Sequence, residues 1–443
     1  MSKLSLSALA LVLATLVSAF AAPASFAAAT ALSAQETRIV AAAAAENARA
    51  IGLLEKLVNI NSGTMNLEGV TRIAEIMRAE LEPMGFSVRW VPKTELGRAG
   101  TLVAEHKGAG RGKRMLLIGH LDTVFEKDSP FQKFVRRGDI AEGPGANDMK
   151  DGLSIMVSSL RAMQKAGTLK DADITIVLSG DEERAGKPLE VARAEMLDAA
   201  KRSDVALEFE SLAQDGGRDM GSVSRRSSLT WTVRTKAKSG HSSGIFSADA
   251  GYGAGYELAR ILDTFRRGLR EPNATFSVGL MFGGAATELN AAETGGSATG
   301  KSNVIAADGF ARGDLRTLSN EQTERLTAKM RDIAAQHLPG TQADISFEEG
   351  YPAMAPTEGN RALLRVLNDI NRDLHLEPMP ELDPLKRGAG DIAFVADKVD
   401  GLVGFGAAGQ GSHAPGETVD LSSFDRQIKR TALLMTRLSR IKR

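Results

Sequence analysis

The 443-residue chain contains no cysteine, which removes disulfides, thiolate metal ligands and a cysteine nucleophile together. Any metal must therefore rest on His, Asp and Glu, and there are only six histidines to draw on. Net charge is lacking as well. Lys+Arg and Asp+Glu both total 55, so no long-range field draws the chain to nucleic acid or to an anionic membrane. Long apolar runs are missing except in one place. Near the N-terminus Lys3 precedes an almost wholly apolar stretch over residues 4–20, and Ala-Ala-Pro-Ala-Ser-Phe-Ala-Ala-Ala follows it. A basic start, an apolar centre and small residues afterwards describe a secretory signal peptide over residues 1–29, cleaved near Ala27 to Ala29. An uncleaved membrane anchor is the competing reading, since the run approaches spanning length. The small residues after it favour cleavage. The mature protein is expected to be periplasmic or secreted, with no stable membrane anchor and no lipid on a cysteine.

What is present is the composition of a soluble globular protein, 43% hydrophobic and 25% charged. The length exceeds one ordinary core, so two domains are expected. After an Ala-rich connector, residues 47–59 and 67–84 show helical spacing of apolar positions. Residues 86–91 alternate like a half-buried strand. Residues 114–120 and 173–179 are continuous apolar runs, as in strands covered on both faces, and residues 152–166 between them read as a helix. Strands alternating with helices predict an α/β fold with a mostly parallel sheet and helices on both faces, which binds ligands beyond the strand carboxyl ends.

From about Ser222 the texture changes. Residues 228–236 alternate polar and apolar, as an antiparallel strand with one wet face does. A helix over 250–267, strands over 275–282 and 303–315, a helix over 320–337 and a strand over 343–347 complete a β-α-β-β-α-β order, the ferredoxin-like motif. The expectation is a catalytic domain in two parts, residues 30–221 and 351–443. An α+β domain over residues 222–350 is inserted between them. The second part should add helices over 358–373 and 422–441 and a strand around 402–405.

Polar clusters stand where the apolar strands end. His120-Leu-Asp122 closes the first run, and residues two apart in extended chain share a face. Asp122 can then accept from one ring nitrogen of His120 while the other binds metal, which fixes the tautomer and raises ligand basicity. Gly143-Pro-Gly-Ala-Asn-Asp148-Met-Lys is a Gly-rich loop opening a helix. Asp181-Glu182-Glu183 follows the second run, and adjacent carboxylates repel at a buried strand end unless cations are bound there. Glu210 ends Asp204-Val-Ala-Leu-Glu-Phe-Glu, and His413 lies in Gly-Gln-Gly-Ser-His-Ala-Pro-Gly-Glu. Any one of these alone reads as a cap or a solvated loop residue. Five on one sheet edge point to a site. Two neutral histidines and three carboxylates offset three of the four charges on two divalent cations, a hydroxide supplying the fourth. His, Asp and Glu suit zinc, and such a pair activates water and clamps an oxyanion. One carboxylate stays free as general base.

These motifs, with His120-Leu-Asp122-Thr-Val, Gly-Asp-Glu182-Glu183 and Gly-Ser-His413 in that order, resemble the M20 zinc exopeptidases. The closest branch is the folate-cleaving glutamate carboxypeptidases, and the resemblance covers nearly all of the mature chain. It implies that Asp148 bridges two zinc ions (cobalt and manganese being alternatives). His120 and Glu210 complete one metal, Glu183 and His413 the other. Glu182 becomes the general base and Asp122 the orienter of His120. Glu208 competes with Glu210, two residues away on the same strand face. Asp151 departs from the family's Gly and is expected to perturb the helix start. The resemblance further implies that Arg316 and Asn303 bind the substrate's free carboxylate, for which an Arg fork is suited. Without it, Arg316 reads as a salt-bridge partner of Asp314. It also implies that the inserted domain dimerises and closes as a lid, and that His241 donates to the oxyanion in a neighbouring subunit's site. The activity implied is removal of a C-terminal residue, glutamate first, from a peptide, folate-type or N-acyl conjugate. A dipeptidase or an N-acyl-amino-acid deacylase is the alternative. Gly240-His-Ser242-Ser-Gly244 also matches a serine-hydrolase elbow, with Asp391 and His413 in triad order. The preceding strand is not a buried parallel one, and that reading leaves His120, Asp148 and Glu182-Glu183 unexplained.

Overall fold

The computed structural model describes residues 32–443; the expected signal peptide and its cleavage site lie outside them. The first helix, Ala34–Val58, starts well before the expected position. Ser33 caps it by accepting from the Glu36 N–H while the Glu36 carboxylate accepts from the Ser33 N–H, a capping box. The Ala-rich stretch is therefore helix and not connector, as suits the best helix-forming residue. Ile39, Ala43, Ala50, Leu53, Leu54 and Leu57 form its buried stripe.

That stripe packs with helices Lys150–Lys165 and Phe424–Leu438 on one face of a six-stranded sheet. The strands lie in the order Ser87–Lys93, Arg98–His106, Asp173–Ser179, Arg114–His120, Val205–Glu208, Asp400–Val403. The last four run parallel to one another, and the first two join antiparallel. In Arg114–His120, Met115 and Leu117 enter the core under the three helices, whereas Leu116 and Ile118 enter a second core with Ile392, Val395 and Val403. Both faces are buried, which is why the strand reads as an unbroken apolar run. The strand Arg98–His106 is absent from the expectations, because its apolar centre, Leu102-Val103-Ala104, is only three residues long.

A second sheet has the order Thr275–Gly284, Asp308–Arg316, Leu229–Ala237, Thr341–Phe347, all antiparallel. Helices Gly253–Gly268 and Asn320–Ala335 cover one face through Leu258, Ile261, Phe265, Leu326 and Met330, around a fully buried Trp231. Order and pairing are ferredoxin-like. Asn303 falls outside these strands, because the third one starts at Asp308 and not at residue 303.

A small third sheet was not expected. It joins Gly409–Gln410, Thr418–Asp420, Ile140–Glu142 and Val135–Arg137. Its strands are two or three residues long, too short for a periodic signal. Yet it ties the chain on both sides of His413 to the strand that leads into the Asp148 loop. Among the described residues no helix is long and apolar enough to cross a membrane.

Candidate metal centre

Parallel neighbours His120 and Ser179 are in register, and Ile118 is in register with Glu208. The carboxyl ends of three strands thus deliver His120, Glu182-Glu183 and Glu210 to one edge. Two clusters form there. His120, Asp148 and Glu210 make one, and Asp148, Glu183 and His413 the other, with the ligand atoms of each within 4.8 Å of one another. Asp148 divides its carboxylate between them. Oδ1 lies 3.2 Å from His120 Nε2, and Oδ2 lies 3.1 Å from His413 Nε2. Glu210 Oε1 is 3.5 Å from His120 Nε2, and Glu183 Oε2 is 3.1 Å from His413 Nε2. Glu208 points elsewhere, accepting from Arg225 at 2.7 Å and from the Ile392 N–H at 2.8 Å.

Asp122 is fully buried and does more than face His120. The Nδ1 of His120 lies 3.1 Å from the Asp122 carbonyl and 3.4 Å from its carboxylate Oδ1. The same carboxylate accepts from the Glu182 N–H at 3.0 Å, the Glu183 N–H at 3.1 Å and the Thr64 hydroxyl at 2.6 Å. One side chain therefore fixes the relative position of His120 and the Glu182-Glu183 turn. Asp181 is not aimed at the clusters. It pairs at 2.8 Å with Arg193, which also holds Asp391 at 2.7 Å and Tyr351 at 2.6 Å, while Tyr351 donates to the Glu182 carbonyl. The charge expected to require cations at all three adjacent carboxylates is offset at Asp181 by an arginine.

Electrostatics mark the remaining carboxylates. Burial raises Glu182 well above the usual carboxylate range; His120 opposes this, and Asp391, Glu183 and Glu210 reinforce it. Burial likewise pushes Glu183 up to about 7. Hydrogen bonds that the His413 ring donates to Asp148 and Glu183 push it up to about 11. Burial depresses His120, but Asp122, Asp148 and Glu210 outweigh it and the ring ends well above its usual value. The paired carboxylates favour a proton on each imidazole. Divalent ions would replace those protons and leave both imidazoles neutral. The donor set fits them: two histidines and three carboxylates, one of them shared, with a buried Glu183 Oε1 that has no hydrogen-bond partner among the described residues.

The loop before Asp148 is held by Glu417, whose Oε1 accepts from the Asn147 N–H at 2.7 Å and the Asp148 N–H at 3.0 Å. Asp151 does not disturb the helix start. The helix begins at Lys150, and the buried Asp151 carboxylate accepts from the Ala407 N–H at 2.6 Å.

The clusters open into a cavity of about 570 Å³, lined among others by Glu182, Arg225, Arg316, Tyr351, Lys386 and Arg387. Arg316 is in that lining while its Nε is 3.1 Å from Asp314 Oδ2. Asn303 and His241 do not line it. They lie together elsewhere, the Ser242 N–H donating to the Asn303 carbonyl at 2.9 Å and His241 pairing with Val304. The expected partnership of Asn303 with Arg316 in one cavity is thus not present in a single chain. The serine triad does not assemble either. His413 engages Asp148 and Glu183, and Asp391 engages Ser179 and Arg193, so neither bonds to Ser242. Sequence reasoning passed over Arg225, Tyr351, Arg387 and Glu417. Two of them lie in Gly-rich segments that carried a signal, Arg387 in Arg387-Gly-Ala-Gly-Asp391 and Glu417 at the end of the stretch that holds His413.

Comparison with known proteins agrees with this geometry. The family described as peptidase family M20/M25/M40 matches residues 116–437. The chain belongs to that family. As an M20 peptidase it is a hydrolase of the metallopeptidase kind. Carboxypeptidase G2 of Pseudomonas sp. (strain RS-16) is 28% identical over 420 residues, covering 93% of this chain and 94% of that one. A succinyl-diaminopimelate desuccinylase of Novosphingobium aromaticivorans is 27% identical over 307 residues, covering 67% and 76%. Among solved structures, the YXEP protein of Bacillus subtilis, a dinuclear metal binding peptidase from the M20 family, superposes with a TM-score of 0.62 at 17% identity, covering 89% of this peptidase and 98% of that chain. At that identity the likeness shows a shared fold.

Proposed function

We propose that this M20 peptidase is an exported two-zinc exopeptidase. It releases a C-terminal residue, glutamate in the first instance, from a peptide, folate-type or N-acyl conjugate. The observation that carries the reading is the division of Asp148 between two histidines on opposite sides, the arrangement of a carboxylate shared by two cations. His120 and Glu210 would complete one metal, Glu183 and His413 the other. When bound, the pair polarises the scissile carbonyl and makes water acidic enough to ionise near neutral pH. Cobalt or manganese could serve the same donors.

The chain's own residues supply the remaining chemistry. Glu182 lines the cavity without belonging to either cluster; it takes the proton of the attacking water and passes it to the leaving nitrogen. Asp122 keeps His120 oriented and holds the backbone under Glu182. The Arg316 guanidinium receives the α-carboxylate of the departing residue. His241 lies outside the single-chain cavity, and its Nδ1 bonds to the Ser243 hydroxyl at 2.8 Å. This supports donation to the oxyanion of a second copy's site, with Asn303 on the same edge, in a homodimer formed through the inserted unit. The N-terminal leader would direct the protein to the periplasm or beyond the cell.

The test is a panel of N-acyl amino acids and dipeptides with and without a chelator. Prolonged chelation should abolish hydrolysis and zinc should restore it, while a serine-directed phosphonate has no effect. Activity that resists the chelator and yields to the phosphonate would sink the metal reading.

A further inference from the structure

The cavity beside the clusters carries four cationic side chains, Arg225, Arg316, Lys386 and Arg387. Three have partners within the chain. Arg225 donates to Glu208 at 2.7 Å, to the Gly388 carbonyl at 3.0 Å and to the Ala389 carbonyl. Arg316 meets Asp314, and Lys386 meets Asp215 at 2.7 Å. Arg387 differs. It is only 9% exposed, and its Nε and Nη2 find no hydrogen-bond partner among the described residues.

A buried guanidinium with two idle N–H groups destabilises a fold, so its retention points to an acceptor that arrives from outside. The identity of the idle pair narrows what that acceptor is. Nε–H and Nη2–H lie side by side on one edge of the guanidinium plane, the fork that matches the two oxygens of a carboxylate. Burial and the neighbouring Arg225 push the Arg387 guanidinium down to about 10, which leaves it charged at neutral pH. Position narrows it further. Arg387 immediately precedes Gly388, where an added Cβ would lie 4.0 Å from Arg316 Nη1. The two guanidinium groups therefore serve neighbouring parts of one cavity.

We propose that Arg387 is a specificity residue that receives a second carboxylate of the substrate, beside the α-carboxylate received by Arg316. The inference rests on the exopeptidase reading above and names the substrate class more narrowly, as dianionic. The second acid can sit on the side chain of the released residue or at the far end of the acyl group. The chemistry at Arg387 is the same in both cases.

The experiment compares acid and amide pairs on zinc-loaded wild type, Arg387→Met and Arg387→Lys. One arm uses N-acetyl-glutamate against N-acetyl-glutamine. The other uses N-succinyl-leucine against the corresponding succinamoyl-leucine. In the arm that contains the natural source, wild type should favour the acid in kcat/KM. Arg387→Met should lower that acid-over-amide ratio about 10-fold or more, the scale of one charge-assisted contact, and Arg387→Lys should fall between. The melting temperature of the Met variant should be no lower than that of wild type, because the idle donors are gone, whereas a merely structural arginine would lower it. If the Met variant does not fold, the Lys variant carries the comparison. Acid and amide falling alike in both arms would overturn the role of Arg387 and leave the exopeptidase reading standing. Wild type inactive on the whole panel would overturn the exopeptidase reading. Calorimetric titration of glutarate and butyrate then decides Arg387: a preference for glutarate lost in Arg387→Met supports it, and equal affinities overturn it.

Discussion

The carboxyl edge of the central sheet and the His241 edge of the inserted sheet are both polar and both project from strand ends, but they are built differently. At the first, the ligands apart from the exposed His413 are buried or half-buried, and the groups have partners that fix them. Asp122 holds His120 and the Glu182-Glu183 backbone, Glu417 holds the Asp148 loop, and Arg193 offsets Asp181. At the second, His241 is exposed, its ring bonded only to its own turn, and Asn303 lies beside it in a loop. A site whose ligands are fixed before any ligand arrives can hold cations without rearrangement. An edge held only by its own turn has no such partner. The difference teaches where one chain is sufficient and where the proposed second copy would have to supply the missing wall.

The largest expected effect would break the comparison on the rigid side. Glu182 and Glu183 are neighbours in sequence with unlike surroundings, since only Glu183 belongs to a cluster. Glu182→Gln should retain two metals by elemental analysis while kcat falls about 10²-fold or more, the scale of losing a general base. Glu183→Gln should lose metal as well. Equal metal loss in the two variants would refute that division.

A comparable loss is expected on the loose side. His241→Ala should remain folded and metal-loaded, with kcat down about 10²- to 10³-fold, as when one oxyanion donor is removed. Mixing it with Glu182→Gln sharpens the point. With free exchange, about half the dimers pair unlike chains and each contains one intact composite site. Activity should climb above both parents towards about a quarter of wild type. A mixture no better than its parents, with exchange verified, would place His241 within its own chain or outside catalysis.

The smallest effect concerns Arg316, which stands between the two regions with its Nε on Asp314. Arg316→Ala should weaken substrates with a free α-carboxylate by about 2 kcal/mol relative to their amides. Equal losses for acid and amide would make Arg316 a purely structural partner of Asp314.

Most of the α/β architecture was legible because strands buried on both faces leave unbroken apolar runs, as in residues 114–120 and 173–179. The parallel edge then gathered the strand-end clusters around His120, Glu182-Glu183 and Glu210, while the division of roles among them came from the family resemblance. Three kinds of feature escaped. The Ala-rich start of the first helix looked like a connector because alanines surround its few buried positions there, Ile39 and Ala43, on all sides and blur the contrast between faces. The third sheet escaped because its strands are too short to show a period. Arg193, Arg225 and Arg387 escaped because a buried arginine has the same sequence signature as a solvated one; only its surroundings in three dimensions, acids at Arg193 and Arg225 and a cavity at Arg387, distinguish them. The choice between Glu208 and Glu210 shows the same limit, since both sit on one side of the strand and Arg225 claims the first.

The short third sheet carries a consequence for assembly. Asn147 and Glu417, which it brings together, are 270 positions apart, and His413 lies between two of its strands. The second cluster therefore does not exist until nearly the whole polypeptide has folded back on itself. Closing so long a loop is slow relative to local helix formation. A chain that stops short of Thr418 lacks both the strand that ties down the segment after His413 and the last helix, against which the first helix packs. Placement of His413 and completion of the main core are therefore late events of the same closure.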